Sequence, residues 1–169
     1  FTSTDFFVLD TACVFSQAVT VPLQSSTSGA DLDEIITNTD PALIAATIDD
    51  LEVAAQLAVN HGKIKSLLVF DYDDRISQNK VIYQRVQEIL SNSGVETQLI
   101  AMNDLIEYGK TKPWDYLPPH PEGKDRLAAI LHSSGSTGKP KGAMLAEAAT
   151  QHMWESLVSF PSPLPNITV

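Results

Sequence analysis

The stretch LAAILHSSGSTGKPKGAML, at positions 127–145, joins an apolar run to a loop of glycines, hydroxyls and lysines. The run at 127–132 predicts a buried β-strand, and the chain is expected to turn back through residues 143–145 after the loop. Glycines allow positive φ and close approach of a ligand, and successive backbone N–H groups in such a loop form a concave anion site. We interpret residues 133–142 as a loop that binds a polyphosphate.

The side chains of this loop suit the same ligand. Its serines and threonine supply hydroxyl donors, and its two lysines supply compact positive charges for phosphate oxygens. A flexible Gly/Ser-rich linker is the alternative, but a linker has no need of Pro140 between two lysines after a buried strand. The candidate binding residues are Ser133, Ser134, Gly135, Ser136, Thr137, Gly138, Lys139, Lys141 and Gly142.

The loop does not have the Walker A spacing, which needs a glycine five places before the Gly-Lys pair and a hydroxyl residue after the lysine. Ser133 stands at the first of these positions and Pro140 at the second. The run instead resembles the Thr-Ser-Gly-Ser-Thr-Gly-Lys-Pro-Lys-Gly signature of the adenylate-forming superfamily. That superfamily includes acyl-CoA synthetases, luciferases, nonribosomal-peptide adenylation domains and carboxylic acid reductases. Ser133 alone departs from the signature, and it keeps the hydroxyl.

Residues 18–24 also resemble a segment of the adenylate-forming enzymes, and residues 46–51, 69–72 and 141–144 resemble the adenylation domain of carboxylic acid reductases. The resemblance implies a ligase that binds ATP at this loop, with Mg2+, and activates a fatty or aryl carboxylic acid as an acyl-adenylate. It also implies transfer to a phosphopantetheine thiol and, in a reductase, release of an aldehyde with NADPH. Glu147 and His132 depart from the superfamily's usual His and Tyr.

In that family the adenine-, acyl- and magnesium-binding residues follow the phosphate loop. The resemblance therefore implies that this chain is part of a large N-terminal domain. We expect its partners to include the rest of a longer chain, with possible carrier and reductase domains. We also expect the segment alone not to adenylate an acid, and we assign it no catalytic residue and no metal ligand.

Strand and helix patterns alternate through most of the chain, which predicts a doubly wound, mostly parallel α/β sheet. We expect an α/β subdomain at 1–109, a Pro-rich connection at 110–126, the strand and phosphate loop at 127–145, and a helix and tail at 146–169. The predicted helices lie at 5–17, 31–38, 51–61, 81–94, 103–108 and 146–158, and we expect the first of them to be buried. The predicted strands lie at 19–23, 42–46, 66–71, 97–101 and 127–132.

Composition limits the possible partners and location. The 169 residues carry a formal net charge of −10, which argues against nucleic-acid binding and against an anionic membrane surface. No stretch is long and apolar enough to span a membrane. The one cysteine, Cys13, lies in an apolar helical pattern, so we expect it to pack in the core. A reducing cytoplasm is the expected location.

Two other functions stay open from the residues alone. Asp71 and Asp73 follow a predicted strand with one residue between them, as in haloacid-dehalogenase phosphatases, although Arg75 replaces the Thr or Val expected there. The second alternative is a non-catalytic α/β interaction module. The four histidines have no metal-site spacing, and Glu147 is expected to cap a helix or to pair near the loop.

Overall fold

The computed structural model describes residues 3–113, 126–133, 139–149, 152, 155 and 156. The chain divides into two compact units, each described by itself below. The first unit comprises residues 1–12 and 24–117, and the second comprises residues 13–23 and 118–169. Within the described residues, no helix combines the length and the apolar character needed to cross a membrane.

A three-stranded parallel sheet forms the centre of the first unit. Its strands are β1 (Leu43–Thr47), β2 (Ser66–Phe70) and β3 (Gln98–Ala101), in the order β1-β2-β3. The register pairs Leu43 with Ser66 and Ser66 with Gln98. Strand β2 is central, and four of its five residues are buried. A continuous apolar run such as 67–70 is typical of a parallel strand that is covered on both faces.

The two faces of β2 belong to separate apolar clusters. Leu67 and Val69 pack with α3 (Leu51–His61), α4 (Ser77–Ser93) and Ile36 of α2 (Gly29–Thr39). Leu68 and Phe70 pack on the other face with Met102 of α5 (Met102–Lys110) and with α1 (Thr4–Phe15). Helices therefore cover both faces of the parallel sheet, and the predicted α/β fold is confirmed.

Most predicted element boundaries are also confirmed. Helix α3 stops at Gly62, whose φ of 63° belongs to the left-handed region, and its N–H bonds to the carbonyl of Ala58. Helix α4 stops at Gly94, whose φ of 73° also belongs to the left-handed region. Glycine adopts this conformation without the steric cost that a Cβ brings. These two stops set the turns that lead into β2 and β3.

Helix α1 forms where it was predicted, but the expectation that it is buried was wrong. None of its residues is fully buried, and Phe7 and Phe15 are each 63% exposed. Cys13 is half-buried, so it is not a core residue. The apolar residues of α1 surround the helix instead of lining one face, so only the side with Phe6 and Leu9 meets the sheet cluster.

In the second unit, β4 (Leu127–Ser133) and β5 (Lys141–Ala146) form an antiparallel pair. The chain therefore turns back after the loop, as expected, and it does so as a paired strand. The strand predicted at 19–23 is reduced to one parallel bridge between Thr20 and Ala129. The expectation that β4 is buried was also wrong, since its residues are half-buried or exposed and Leu131 is 43% exposed. Strand β4 lies in a two-stranded sheet, whereas β2 has a strand on each side and helices on both faces.

Other predicted features fall wholly or partly outside the described residues. Most of the Pro-rich connection lies there, although α5 extends to Lys110 at its start. Residues 147–149, 152, 155 and 156 of the predicted last helix are helical, and the remainder of that helix and the tail at 160–169 are not described.

Candidate phosphate-binding hairpin

The β4–β5 hairpin carries both ends of the predicted phosphate loop. Ser133 ends β4, Lys141 begins β5, and the two residues are register partners. Both are exposed, as is Lys139 two residues earlier. One hydroxyl residue and two cationic residues therefore stand where the strands meet the loop. The middle of the predicted site, residues 134–138, lies outside the described residues.

Gly142, the last predicted site residue, occupies a tight position opposite His132. A Cβ at Gly142 would lie 2.8 Å from Ile130 Cγ2 and 3.1 Å from His132 Nε2. Real side chains do not approach that closely without displacing a neighbour. Glycine at this position therefore permits the close contact between the strands.

His132 leaves one ring nitrogen unused. Its Nδ1 atom is buried and has no hydrogen-bond partner among the described residues. His132 immediately precedes Ser133, so it lies at the end of β4 from which the loop starts. Its ring lies over Gly142, and this packing contact is the role that the geometry assigns to it.

The opposite end of the hairpin is closed by an ion pair that sequence reasoning missed. Arg126 Nε lies 3.0 Å from Glu147 Oε2, and the Glu147 N–H donates to the Arg126 carbonyl over 2.8 Å. Glu147 was expected to cap or to pair near the loop; it does pair, but at the end remote from the loop. The available signal was an arginine directly before one strand and a glutamate directly after its return strand.

The two aspartates of the phosphatase alternative make different contacts, Asp71 through its backbone and Asp73 through its carboxylate. The Asp71 N–H donates to Asp5 Oδ2 over 2.8 Å. Both carboxylate oxygens of Asp73 accept from the Arg75 guanidinium, the shortest contact being 2.7 Å. Hydrogen bonds from the Arg75 side chain, and then from its backbone N–H, lower the pKa of Asp73 to about 2. A general acid must be protonated at the working pH, so Asp73 is poorly suited to that role.

Among the described residues, no histidine belongs to a group that could hold a metal ion. His61 is the last residue of α3, and its Nε2 lies 2.9 Å from Asp33 Oδ1 of α2. This contact joins the two helices. Across the described part of the chain, no three His, Cys, Asp or Glu side chains are grouped to hold a metal ion. We expect Trp114 and Trp154 to be packing residues. Both fall outside the described residues, so that role stays a prediction.

Comparison with known proteins identifies the family. The profile of the AMP-binding enzyme family matches residues 1–161. The chain is 33% identical over 171 residues to a carboxylic acid reductase of Mycobacterium tuberculosis. That alignment covers 100% of this chain and 14% of the reductase. The chain thus spans about a seventh of that relative.

Solved structures agree with this similarity. The adenylation domain of a carboxylate reductase from Mycobacterium chelonae superposes with a TM-score of 0.86 at 32% identity, over 91% of this chain and 24% of that one. A carboxylic acid reductase didomain from Segniliparus rugosus, in complex with AMP, gives the same TM-score at 33% identity, over 92% and 22% of the two chains. The resemblance inferred from the loop is confirmed, and the chain belongs to the AMP-binding enzyme family.

Proposed function

We propose that the intact protein carrying this chain uses ATP to activate a carboxylic acid as an acyl-adenylate. The observation that carries the proposal is the pairing of Ser133 with Lys141 at the loop end of the hairpin. This pairing presents a hydroxyl and an ammonium group together, with Lys139 two residues away. Membership of the AMP-binding enzyme family supports a nucleotide as the ligand.

In the proposed reaction, a carboxylate oxygen of the acid attacks the α-phosphorus of ATP. A new oxygen–phosphorus bond forms, the bond from the α-phosphorus to the bridging oxygen breaks, and pyrophosphate leaves with that electron pair. Lys139 and Lys141 would offset the negative charge of the leaving phosphates. Ser133 and the loop residues Ser134, Gly135, Ser136, Thr137, Gly138 and Gly142 would orient those phosphates through hydroxyl and backbone N–H groups.

Magnesium would share the charge of the phosphates, as it does in many phosphoryl-group enzymes. The described residues do not fit a metal site of their own, because no three carboxylate or imidazole groups are grouped for it. No step of the proposed reaction is therefore assigned to a metal held by this chain. The chain's own contribution is the positive charge of Lys139 and Lys141 and the hydrogen-bonding groups of the loop that begins at Ser133.

For the later steps we propose a thiol acceptor of the phosphopantetheine type and, if a reductase domain follows, reduction to an aldehyde with NADPH. The support is the similarity to carboxylic acid reductases. The activated acid would be fatty or aryl, and the partners would be carrier and reductase domains of the same polypeptide. The net charge of −10 supports a protein that does not bind nucleic acid, and the proposed location is the cytoplasm.

Within this proposal, residues 1–109 form an α/β subdomain and residues 110–126 connect it to the phosphate-binding strands at 127–145. Residues 146–169 would be a helix and a tail. A hairpin that grips only phosphates lacks contacts to adenine and to the acid. We therefore expect the 169-residue segment alone to give no acid-dependent exchange of pyrophosphate into ATP.

The test is pyrophosphate–ATP exchange by the intact protein, measured with and without a panel of fatty and aryl acids. We expect exchange that depends on the acid. Exchange absent with every acid, together with hydrolysis of p-nitrophenyl phosphate, would instead favour the phosphatase alternative. If our reading is right, Asp71→Asn leaves any such hydrolysis unchanged, since Asp71 then has no nucleophilic role. Absence of both activities would favour the interaction module.

A further inference from the structure

The Arg126–Glu147 ion pair is unusual in this chain because it is buried. The two side chains are 15% and 10% exposed, and Glu147 is the only buried charged residue among those the structure describes. The Arg85–Glu52 pair between α4 and α3 has a comparable distance of 2.7 Å, but its side chains are 56% and 42% exposed. The pair at the base of the hairpin has therefore lost most of its hydration.

Burial of an ion pair is weak evidence for stabilisation. Removing two charges from water opposes their attraction, and apolar residues of similar volume often replace such pairs without loss of stability. Fixing one arrangement against its alternatives is a better-attested role for buried charge pairs. The relevant question is which alternative the Arg126–Glu147 pair excludes.

The hairpin has an evident alternative, which is a slipped register. Its strands are rich in alanine, and the residues of β4 are no more than half-buried, so the side-chain pattern specifies register weakly. The pairing already shifts between Leu127 and Ala129, which leaves Ala128 as an extra residue. The Ala128 carbonyl accepts from the Thr20 N–H over 3.0 Å instead.

A slip of one residue would place every side chain of one strand on the opposite face. At the loop end, that change would place the Lys141 side chain on the face opposite to Ser133, its present register partner. Arg126 and Glu147 resist the slip because their contact requires the native alignment of both strand ends. The side-chain contact and the backbone hydrogen bond from Glu147 act at the same point.

We propose that Arg126 and Glu147 are positioning residues for the phosphate-binding lysines, and that their buried ion pair fixes the register of β4 against β5. This inference rests on the proposed function in one respect: the lysines bind the phosphates of ATP. The register lock itself depends only on the hairpin geometry.

The test uses the intact protein and the apolar double variant R126M/E147L, which keeps the volume of the pair and removes its charges. The matched control is R85M/E52L, which removes the exposed pair. In each background, cysteines are placed at the register partners Ala129 and Leu145, where a native hairpin brings them within disulfide reach. The KM for ATP and the KM for the acid are measured in the versions without these cysteines.

We expect R126M/E147L to keep its melting temperature, to lose most of the disulfide yield, and to raise the KM for ATP about 10- to 100-fold, as a misplaced binding group does. The KM for the acid should stay within about twofold of wild type, because the lysines are proposed to bind only the phosphates of ATP. Uniform misfolding would instead affect both constants. The control pair should change none of these values.

Native disulfide yield in R126M/E147L would overturn the proposal, as would a lost register with an unchanged KM for ATP. If the double variant does not fold, E147Q decides by the same two readouts, since it removes one charge and keeps the volume. If the wild-type protein shows no exchange, the proposed function fails. In that case the disulfide yield still tests the register lock separately.

Discussion

A Cβ atom on Gly142 would lie 2.8 Å from Ile130 Cγ2, a separation that packed side chains do not reach. Gly142→Ala should therefore destabilise the hairpin by about 1–3 kcal/mol, the usual cost of an added methyl group in tight packing. Hydrogen exchange of the β5 amides in the intact protein measures this as a lower free energy of opening. The loss should be accompanied by weaker ATP binding, since Gly142 adjoins Lys141.

Gly109→Ala is the matched control for that substitution. A Cβ at Gly109 would meet nothing within 4 Å, and the residue lies in α5. Alanine there should stabilise the helix by about 0.5–1 kcal/mol. The pair Ile130→Ala with Gly142→Ala should recover the stability of Ile130→Ala alone. If Gly142→Ala leaves β5 exchange unchanged, the close approach of the strands is not as described.

Asp71 has a φ of 56°, in the left-handed region, at the turn after β2. A β-branched residue is strained in this conformation, so Asp71→Val should cost about 1–2 kcal/mol. Asp71→Gly should be neutral or slightly stabilising, because glycine adopts positive φ without strain. The measurement is the opening free energy of the β2 amides by hydrogen exchange.

Asp74→Val supplies the control for Asp71→Val. Asp74 is also exposed and follows in the same loop, but its φ is not positive. We expect that change to alter stability by less than about 0.5 kcal/mol, as for an ordinary surface substitution. Equal effects of the two valine substitutions would show that backbone conformation is not the cause.

The contact with Arg75 should make the Asp73 carboxyl group titrate at an unusually low pH. The pKa of Asp73 is lowered to about 2, mainly by hydrogen bonds from the Arg75 side chain. Because the folded-state pKa is below the unfolded value, the pair favours folding at pH above about 4. That contribution is lost as the pH falls from about 4 through 2. The NMR chemical shift of the Asp73 carboxyl carbon, followed against pH, should have its midpoint near pH 2.

Arg75→Ala should raise the Asp73 midpoint toward the ordinary value of 3.8. Arg85→Ala, which removes an arginine that pairs with Glu52 instead, should leave that midpoint unchanged. A wild-type midpoint already near 3.8 would contradict the contact geometry. Since Asp73 is ionised at neutral pH, the same titration bears on the phosphatase alternative.

Leu67 tests the core of the first unit, because it lies in the central strand β2 and is 0% exposed. Leu67→Ala should cost about 2–5 kcal/mol through lost burial and the cavity left behind. Val53→Ala in α3 is the control, since Val53 is 50% exposed, and its effect should be below about 0.5 kcal/mol. Hydrogen exchange of the β2 and β3 amides measures both, and similar effects would place the core elsewhere.

The parallel sheet could be predicted because its signals are local. The unbroken apolar run at 67–70 marks a strand covered on both faces, and Gly62 and Gly94 mark helix ends. Phosphate binding by the loop between Ser133 and Gly142 could be predicted from its residue types and their spacing, and it stays a prediction. These features depend on neighbours in the sequence.

Long-range contacts could not be predicted in this way. The Asp5–Asp71 hydrogen bond joins residues 66 positions apart, and the Arg126–Glu147 pair joins residues 21 positions apart. Periodicity does not specify which side chains meet across such distances. Helix α1 shows the related difficulty, since its apolar composition predicted burial and the arrangement of those residues around the helix prevented it.

The most direct test of the phosphate-binding hairpin is acid-dependent pyrophosphate–ATP exchange by the intact protein with Lys139 and Lys141 both changed to alanine. The control changes Lys63 and Lys65, two lysines of the first unit that lie before β2. We predict that exchange falls at least about 100-fold in K139A/K141A, as expected when charge stabilisation of a leaving group is lost, and that K63A/K65A retains it. Exchange that survives in K139A/K141A at the wild-type rate would contradict the assignment of these lysines to the phosphates of ATP.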